Sequence, residues 1–278
     1  MSIEEIIKQA VIEDVGSGDH SSLLSVPDTA QGKAELVLKE DGIIAGVDIA
    51  LQVFKYIDKS LKVNVFIPDG TAVKKGDIVF EIEGKIHSIL MSERLMLNIM
   101  QRMSGIATKT NYFCSLIKGT NAKLLDTRKT TPNIRILEKM AVRIGGGYNH
   151  RMGLYDMIML KDNHIDYAGG IESAIKKANE YIKHKQLDIQ IEVETRSLFE
   201  VEQVLSTGGF HRIMFDNFTV ENVRKGVELV QNRYETEASG NINEQTIRNY
   251  AETGVDFISV GALTHSVKGL DMSLKAIV

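Results

Sequence analysis

The stretch IQIEVETRSLFEVEQVLSTGGFHRIMFD (189–216) decides the fold. Its ends, IQIEVE (189–194) and RIMFD (212–216), read as short strands, and LFEVEQVLST (198–207) between them carries helical spacing. Two strands separated by a helix pair in parallel, because only a crossover of that length brings the second strand back alongside the first. The same rhythm extends outward in both directions. Further strands are AKLLD (122–126), MIMLK (157–161), YETEAS (234–239) and VDFISVG (255–261), with helices at IESAIKKANEYIKH (171–184) and NEQTIRNYAETG (243–254). A closed eight-unit α/β barrel takes about 250 residues. From residue 122 onward there is room for only six or seven lean units, so the sequence predicts an incomplete, roughly seven-stranded α/β barrel.

The first hundred residues have another texture. Ile3, Ile6, Ile7, Ala10 and Val11 lie at helical spacing. GKAELVLKEDGIIAGV (32–47) and LKVNVFIPDGTAVKKGDIVFEIEG (61–84) alternate apolar and polar around Asp-Gly and Lys-Gly turns, as half-buried antiparallel strands do. DIALQVFKYID (48–58) reads as a helix, and a long helix follows over about 88–118, with methionines as core filler. The expected domains are 1–108 and 109–266, with 267–278 able to pack against the first.

Composition narrows the functional classes. The chain has 278 residues, 43% hydrophobic and 25% charged, with a net charge of −4, which argues against a general nucleic-acid binder. MSIEEIIKQAVIEDVG has no basic segment followed by an apolar core, and no apolar run approaches the roughly 18 residues of a membrane span. A soluble, cytoplasmic protein is expected. The single cysteine, Cys114, excludes an intramolecular disulfide and reads as an inert helix residue.

What stands where each strand stops is the strongest functional signal. Asp126, Lys161, Glu194 and Asp216 close four of the six strands, Glu237 lies near the end of another, and Gly261 closes the last. Packing gives a buried strand no reason to finish on a charge, whereas the carboxyl ends of barrel strands form the catalytic face. An enzyme is the natural reading.

Residues 126–164 carry seven Lys and Arg against four Asp and Glu, on a chain that is acidic elsewhere, which points to a small anionic substrate. Arg135, Lys139 and Arg143 are spaced by four and read as a solvated helix face, with Glu138 as a local partner. Arg128, Lys129, Arg151 and Lys161 stand at loop starts or a strand end, where a guanidinium fork suits carboxylate or phosphate. Ser239-Gly240-Asn241 and Gly261-Ala262-Leu263-Thr264-His265-Ser266 follow the last two strands, the usual place for a phosphate site in a barrel. His164 and Asp166 read as a hydrogen-bonded structural pair. Glu194 and Asp216 are better metal candidates, since hard carboxylates beside phosphate suit Mg²⁺. Gly145-Gly146-Gly147 follows a helical segment, so it is no dinucleotide fingerprint.

Several motifs, in order, closely resemble the quinolinate phosphoribosyltransferase family. They are DTRKTTP (126–132), GGGYNHRMGLYD (145–156), KDNH (161–164), IEVE (191–194), FDN (215–217), EASG (237–240) and VGALTHS (260–266). EDVGSGD (13–19) and SERLMLNIMQRMSGIAT (92–108) extend the likeness over nearly the whole chain. The resemblance implies transfer of phosphoribose from phosphoribosyl pyrophosphate to quinolinate with loss of CO₂ and with Mg²⁺, in NAD synthesis. It implies an N-terminal α/β sandwich domain, a seven-stranded barrel, and a homodimer whose partner closes each active site. Arg128, Lys129, His150, Arg151 and Lys161 match positions that hold the quinolinate carboxylates and pyrophosphate, and Arg94 matches an arginine contributed across the dimer. Glu194 and Asp216 match carboxylates at the ribose and Mg²⁺. Ser239, Gly240, Gly261 and His265 match the 5′-phosphate loops. On this reading Lys129, Glu194 and Asp216 are the catalytic residues. The family pattern often has glycine where Asn241 stands, and asparagine also tolerates positive φ. The nearest rival is a paralogue acting on another acceptor; a second is a Schiff-base aldolase with Lys161 as nucleophile.

Overall fold

A computed structural model describes residues 1–277. In chain order the first elements are α1 (Ile3–Val15), α2 (His20–Ser25), β1 (Gln31–Leu38), β2 (Gly42–Ile43), α3 (Val47–Ile57), β3 (Lys62–Val65), β4 (Ala72–Val73), β5 (Ile78–Lys85) and α4 (Ile86–Leu116). There follow β6 (Lys123–Leu125), α5 (Arg135–Ile144), β7 (Met157–Leu160), α6 (Asp162–Ala168), α7 (Ile171–Lys185), β8 (Gln190–Thr195) and α8 (Leu198–Thr207). The last are β9 (Arg212–Asp216), α9 (Val220–Val230), β10 (Glu235–Ser239), α10 (Ile247–Ala251), β11 (Phe257–Ser259), α11 (Ala262–His265) and β12 (Met272–Ile277).

The chain divides into two compact units. The first comprises residues 1–111, 130–146 and 263 to the C-terminus; the second comprises 112–129 and 147–262. In the first, an antiparallel sheet runs in the order β12-β1-β5-β3. Period-two alternation buries Ala34, Leu36 and Leu38 of β1 against α3 and α4 residues such as Val53, Phe54, Met96 and Met100. Phe54 and Phe80 meet edge to face at 5.6 Å at the centre of that core. β12 pairs with β1 along Lys33–Leu38, so the end of the chain completes this sheet. Of the segment 267–278, Val278 lies outside the described residues.

The second unit is built on a parallel sheet in the order β6-β11-β10-β9-β8-β7. Tyr148 adds an isolated parallel bridge to Leu125, a one-residue seventh strand beyond β6. That sheet curls. β8 stands four places from β6, about 19 Å away along a flat sheet. Yet His150, two residues past the bridge at the β6 edge, touches Glu192 of β8 at 2.9 Å and Glu237 of β10 at 3.4 Å. Only a sheet wrapped toward closure brings those side chains together across its inner face, as the incomplete barrel requires.

The strand residues divide cleanly by face. Ile191, Val193, Ile213, Phe215, Ala238 and Ile258 are fully buried. The opposite face carries Glu192, Glu194, Arg212, Met214 and Glu237. Parallel strands under helices are ordinarily apolar on both sides; here the inner face is charged, which explains the alternation in IQIEVE. Outside, Gly226 of α9 lets the helix sit on Phe215, whose ring would be 2.7 Å from an added Cβ. Side-chain caps set the helix starts: Ser197 accepts from the Glu200 amide before α8, and Thr219 from the Asn222 amide before α9.

Three readings of the sequence are corrected. The helix expected over 243–254 is only Ile247–Ala251, because the Asn243 side chain accepts the amides of Gln245 and Thr246 and holds 243–246 as a turn. The solvated face expected of α5 holds only in part: Arg143 is exposed and Arg135 half-buried, but Lys139 and Glu138 are fully buried, and Glu138 pairs with Arg102 of α4. His164 and Asp166 do not pair with each other. His164 Nδ1 accepts the Lys161 amide at 3.0 Å, and Asp166 binds Arg196.

Candidate active site

The carboxyl ends of β7, β8, β9 and β10 bring the charged strand ends into one neighbourhood. Lys161 follows β7 and opens α6, and its Nζ lies 3.0 Å from Oε2 of Glu194 on β8. Asp216 ends β9, and Ser239, its partner in the parallel register, ends β10. Burial raises the Asp216 pKa, and the nearby Glu194 charge raises it further. Two carboxylates held in mutual repulsion beside one lysine make a site that a cation would relieve. Their oxygen donors suit Mg²⁺, which commonly uses one or two carboxylates and completes its shell with water and substrate phosphates.

The loops beyond β9 and β10 are locked together. Asn217, at φ 57°, donates its backbone N–H to the Ser239 carbonyl at 2.8 Å and its side-chain amide to Asp216 Oδ2 at 2.7 Å. Asn241 also takes positive φ, at 51°, and donates to Asn217 Oδ1 at 3.1 Å. Gly240 between them has φ 96°, and a Cβ there would collide with the Asn217 side chain. Glycine is therefore required by both conformation and space. Asparagine at 241 meets the backbone demand expected of it.

The cationic side of the second unit comes from the segments after β6. Arg151 is buried, and its Nη1 donates to the Met157 carbonyl at 3.1 Å. Burial lowers the Arg151 pKa, and the charge of Arg128 lowers it further. Two guanidinium groups close enough to repel each other form a ready anion site. Lys129 is exposed next to them in sequence, its amide donating to Thr127 Oγ1 at 3.1 Å. The loop that carries Arg151 is closed by Asp156, which accepts the amides of Met152 and Gly153.

Also in this unit is a buried network of which the sequence reading named His150 and Glu237 but not Glu192 or Arg212. His150, Glu192 and Glu237 are buried together, and Arg212 places Nη1 3.0 Å from Glu237 Oε2. Burial would push the His150 pKa down; the two carboxylates on their own reverse this and carry it up to about 9. The Arg151 N–H aimed at Nδ1 at 2.7 Å opposes that rise, since a protonated Nδ1 cannot accept it. The bond that is made decides between them: Nδ1 acts as an acceptor, so the ring is neutral with its proton on Nε2. Burial, followed by the Glu237 charge, raises Glu192 to about 7. The available signal was the pair of glutamates two apart in IEVE, which on a strand must share a face.

Three predicted residues lie in the first unit or beyond a strand. Arg94 is exposed on α4, His265 is exposed on α11 with Nδ1 2.7 Å from Ser266 Oγ, and Gly261 lies two residues past β11. Cys114 is half-buried in α4, and burial pushes its thiol pKa up, away from reactivity.

Comparison with known proteins bears on this geometry. Residues 19–104 match the model of the quinolinate phosphoribosyl transferase N-terminal domain, and residues 106–275 that of the C-terminal domain. The chain belongs to the quinolinate phosphoribosyltransferase family. A chloroplastic nicotinate-nucleotide pyrophosphorylase (carboxylating) from Arabidopsis thaliana is 47% identical over 98% of this chain and 82% of its own length. A probable nicotinate-nucleotide pyrophosphorylase (carboxylating) from Bacillus subtilis is 40% identical over 99% and 93%. The crystal structure of NadC from Streptococcus pyogenes superposes with a TM-score of 0.93 at 39% identity, covering 99% of this chain and 97% of that one. The mixed α/β architecture of this chain is that of its structural neighbours in the family. No helix among the described residues is long and apolar enough to cross a membrane.

Proposed function

We infer that the chain is a pentosyltransferase of NAD biosynthesis. It transfers the 5-phosphoribosyl group from phosphoribosyl pyrophosphate to quinolinate, releasing pyrophosphate and CO₂ and forming nicotinate mononucleotide. Within a family of this name, the observation that carries the reading is the pairing of opposite chemistries in the second unit. Arg128 and Arg151 crowd two guanidiniums together, while Glu194 and Asp216 crowd two carboxylates beside Lys161. A dianionic acceptor needs the first set and a ribose that becomes cationic needs the second.

The residues divide the work accordingly. Arg128, Arg151 and Lys161 serve the quinolinate carboxylates and the pyrophosphate, His150 by holding Arg151 in place, with Arg94 supplied by the other subunit of a homodimer. Charge-assisted hydrogen bonds to such groups contribute about 1.5–3 kcal/mol each. Glu194 and Asp216 stabilise the positive charge that grows on the ribose as its bond to pyrophosphate breaks. Lys129 and Arg128 take up the negative charge that gathers on the leaving group. Ser239, Gly240, Gly261 and His265 hold the 5′-phosphate. Glu194 and Asp216 would also hold Mg²⁺, which when bound supplies positive charge to the pyrophosphate. The alkylated pyridine nitrogen is cationic and stabilises the electron pair left on the neighbouring ring carbon when CO₂ departs; a proton then takes the place of CO₂, so no covalent nucleophile is needed. Lys161, engaged in an ion pair with Glu194, is not placed as a Schiff-base amine. We place the enzyme in the cytoplasm.

The test is turnover. Purified protein with quinolinate, phosphoribosyl pyrophosphate and Mg²⁺ should release CO₂ and nicotinate mononucleotide, and nicotinate in place of quinolinate should give none. Phosphosugar binding without turnover of quinolinate would overturn the acceptor assignment.

A further inference from the structure

We propose that Glu192, Glu237 and Arg212, inside the barrel, are positioning residues that clamp the His150 ring and, through it, fix the backbone that carries Arg151. The inference rests on the proposed function for what Arg151 binds, and on geometry alone for the clamp.

Apart from the Arg212–Glu235 pair, each link is a contact between buried groups. Arg212 anchors the network on β9: Nη1 lies 3.0 Å from Glu237 Oε2, and Nη2 lies 2.9 Å from Glu235. Its guanidinium also sits 4.0 Å above the Phe257 ring of β11, which fixes its plane. Glu237 and Glu192, both without solvent exposure, approach His150 Nε2 from two strands at 3.4 and 2.9 Å. The ring proton between them therefore belongs on Nε2. Nδ1 is left as an acceptor and takes the Arg151 backbone N–H at 2.7 Å. The backbone N–H of His150 itself is held by the buried Asp126 carboxylate at 2.9 Å. Two successive amides of the loop are thus fixed by side chains, and one of those side chains is fixed by the barrel interior.

Such an arrangement has a physical purpose. The 149–156 loop has no ladder to hold it, and a substrate-binding guanidinium displaced by about 1 Å can cost on the order of a hundredfold in rate. Charges on a barrel's inner face are costly unless paired. Here Arg212 pairs with Glu237, and the His150 Nε2–H is the donor that both carboxylates face. His150, Glu192 and Glu237 also offer three ligand atoms within 4.8 Å of one another. Arg212 already supplies the cationic partner that a metal would provide.

The experiment is a double-mutant cycle on the full-length enzyme. Glu192→Gln and Glu237→Gln should each lower kcat/KM for quinolinate by about tenfold or more, while the KM for phosphoribosyl pyrophosphate changes by less than about threefold. In a His150→Gln background either change should add less than about threefold, because the ring they act through is gone. Additive losses would overturn the clamp, and so would equal losses toward both substrates with a lowered unfolding midpoint, the mark of a merely structural role. Nitrogen-15 spectra of histidine-labelled apoprotein give a readout independent of turnover. The His150 ring should show a proton on Nε2 and an acceptor at Nδ1, a pattern lost in Glu192→Gln/Glu237→Gln; a proton on Nδ1 in the wild type would overturn the proposal. If the wild type fails to use quinolinate but keeps this spectrum, the functional reading fails and the clamp survives.

Discussion

Arg102 and Glu138 form the polar hub of the first unit: Nη2 meets Oε1 at 2.8 Å, and the glutamate has no solvent exposure. Arg102 also donates to the carbonyls of Thr264 and Val267, while Glu138 accepts the Thr131 amide through its other oxygen at 3.1 Å. One ion pair thus ties α4 and α5 to the end of the DTRKTTP segment and to the chain around His265. Removing one partner strands the other. Glu138→Ala should destabilise the protein by about 3 kcal/mol, measured by denaturant unfolding. Arg102→Met/Glu138→Leu together should cost clearly less than the two single changes summed, because no unpaired charge remains.

Lys129 is exposed and makes no contribution to a core, so its loss should spare the fold. Lys129→Ala should cut turnover at least about tenfold, a barrier increase of about 1.4 kcal/mol, with an unchanged thermal unfolding curve. Arg94→Ala should be equally inactive if its side chain serves a neighbouring subunit. Co-assembling the two variants should then restore part of the activity, since some sites receive both wild-type residues. No recovery in mixed oligomers of verified composition would put Arg94 and Lys129 in sites of the same subunit.

Gly240 tests the loop that follows β10. Its φ of 96° suits glycine alone among common residues, and a Cβ would meet the Asn217 side chain. Gly240→Ala should destabilise by about 1–3 kcal/mol and raise the KM for phosphoribosyl pyrophosphate more than that for quinolinate. Steady-state kinetics with each substrate varied in turn separates the two effects.

Much of this was legible in the sequence because its signals are local. IQIEVE and RIMFD announce strands, LFEVEQVLST matches α8 at both ends, and the charged strand ends meet where Lys161 pairs with Glu194. What stayed hidden depends on neighbours distant in the chain. Nothing in the local pattern of RILEKMAVRI separates a solvated helix face from one whose Glu138 binds Arg102 and whose Lys139 is buried. Glu192 and Arg212 look like ordinary polar positions of alternating strands. They acquire meaning only when the sheet curls and brings His150 across from the β6 edge. The packing of 267–278 on the first domain was expected, but its strand pairing was hidden for the same reason: its partner, β1, is more than two hundred residues earlier.

The buried network makes stability depend on pH, with a definite sign. Glu192 is raised to about 7, chiefly by burial and then by the Glu237 charge, above its ordinary value of 4.5. A carboxyl raised in the folded state is harder to ionise there than in the unfolded chain, so it contributes stability in full below the unfolded pKa and loses it as pH rises through the folded one. The window is therefore about pH 4.5 to 7. The wild type should lose stability steadily across it, by no more than about 3 kcal/mol. Urea unfolding at a series of pH values measures this directly. Glu192→Gln should flatten the curve over the same window, whereas an unaltered slope in that variant would assign the dependence to other groups.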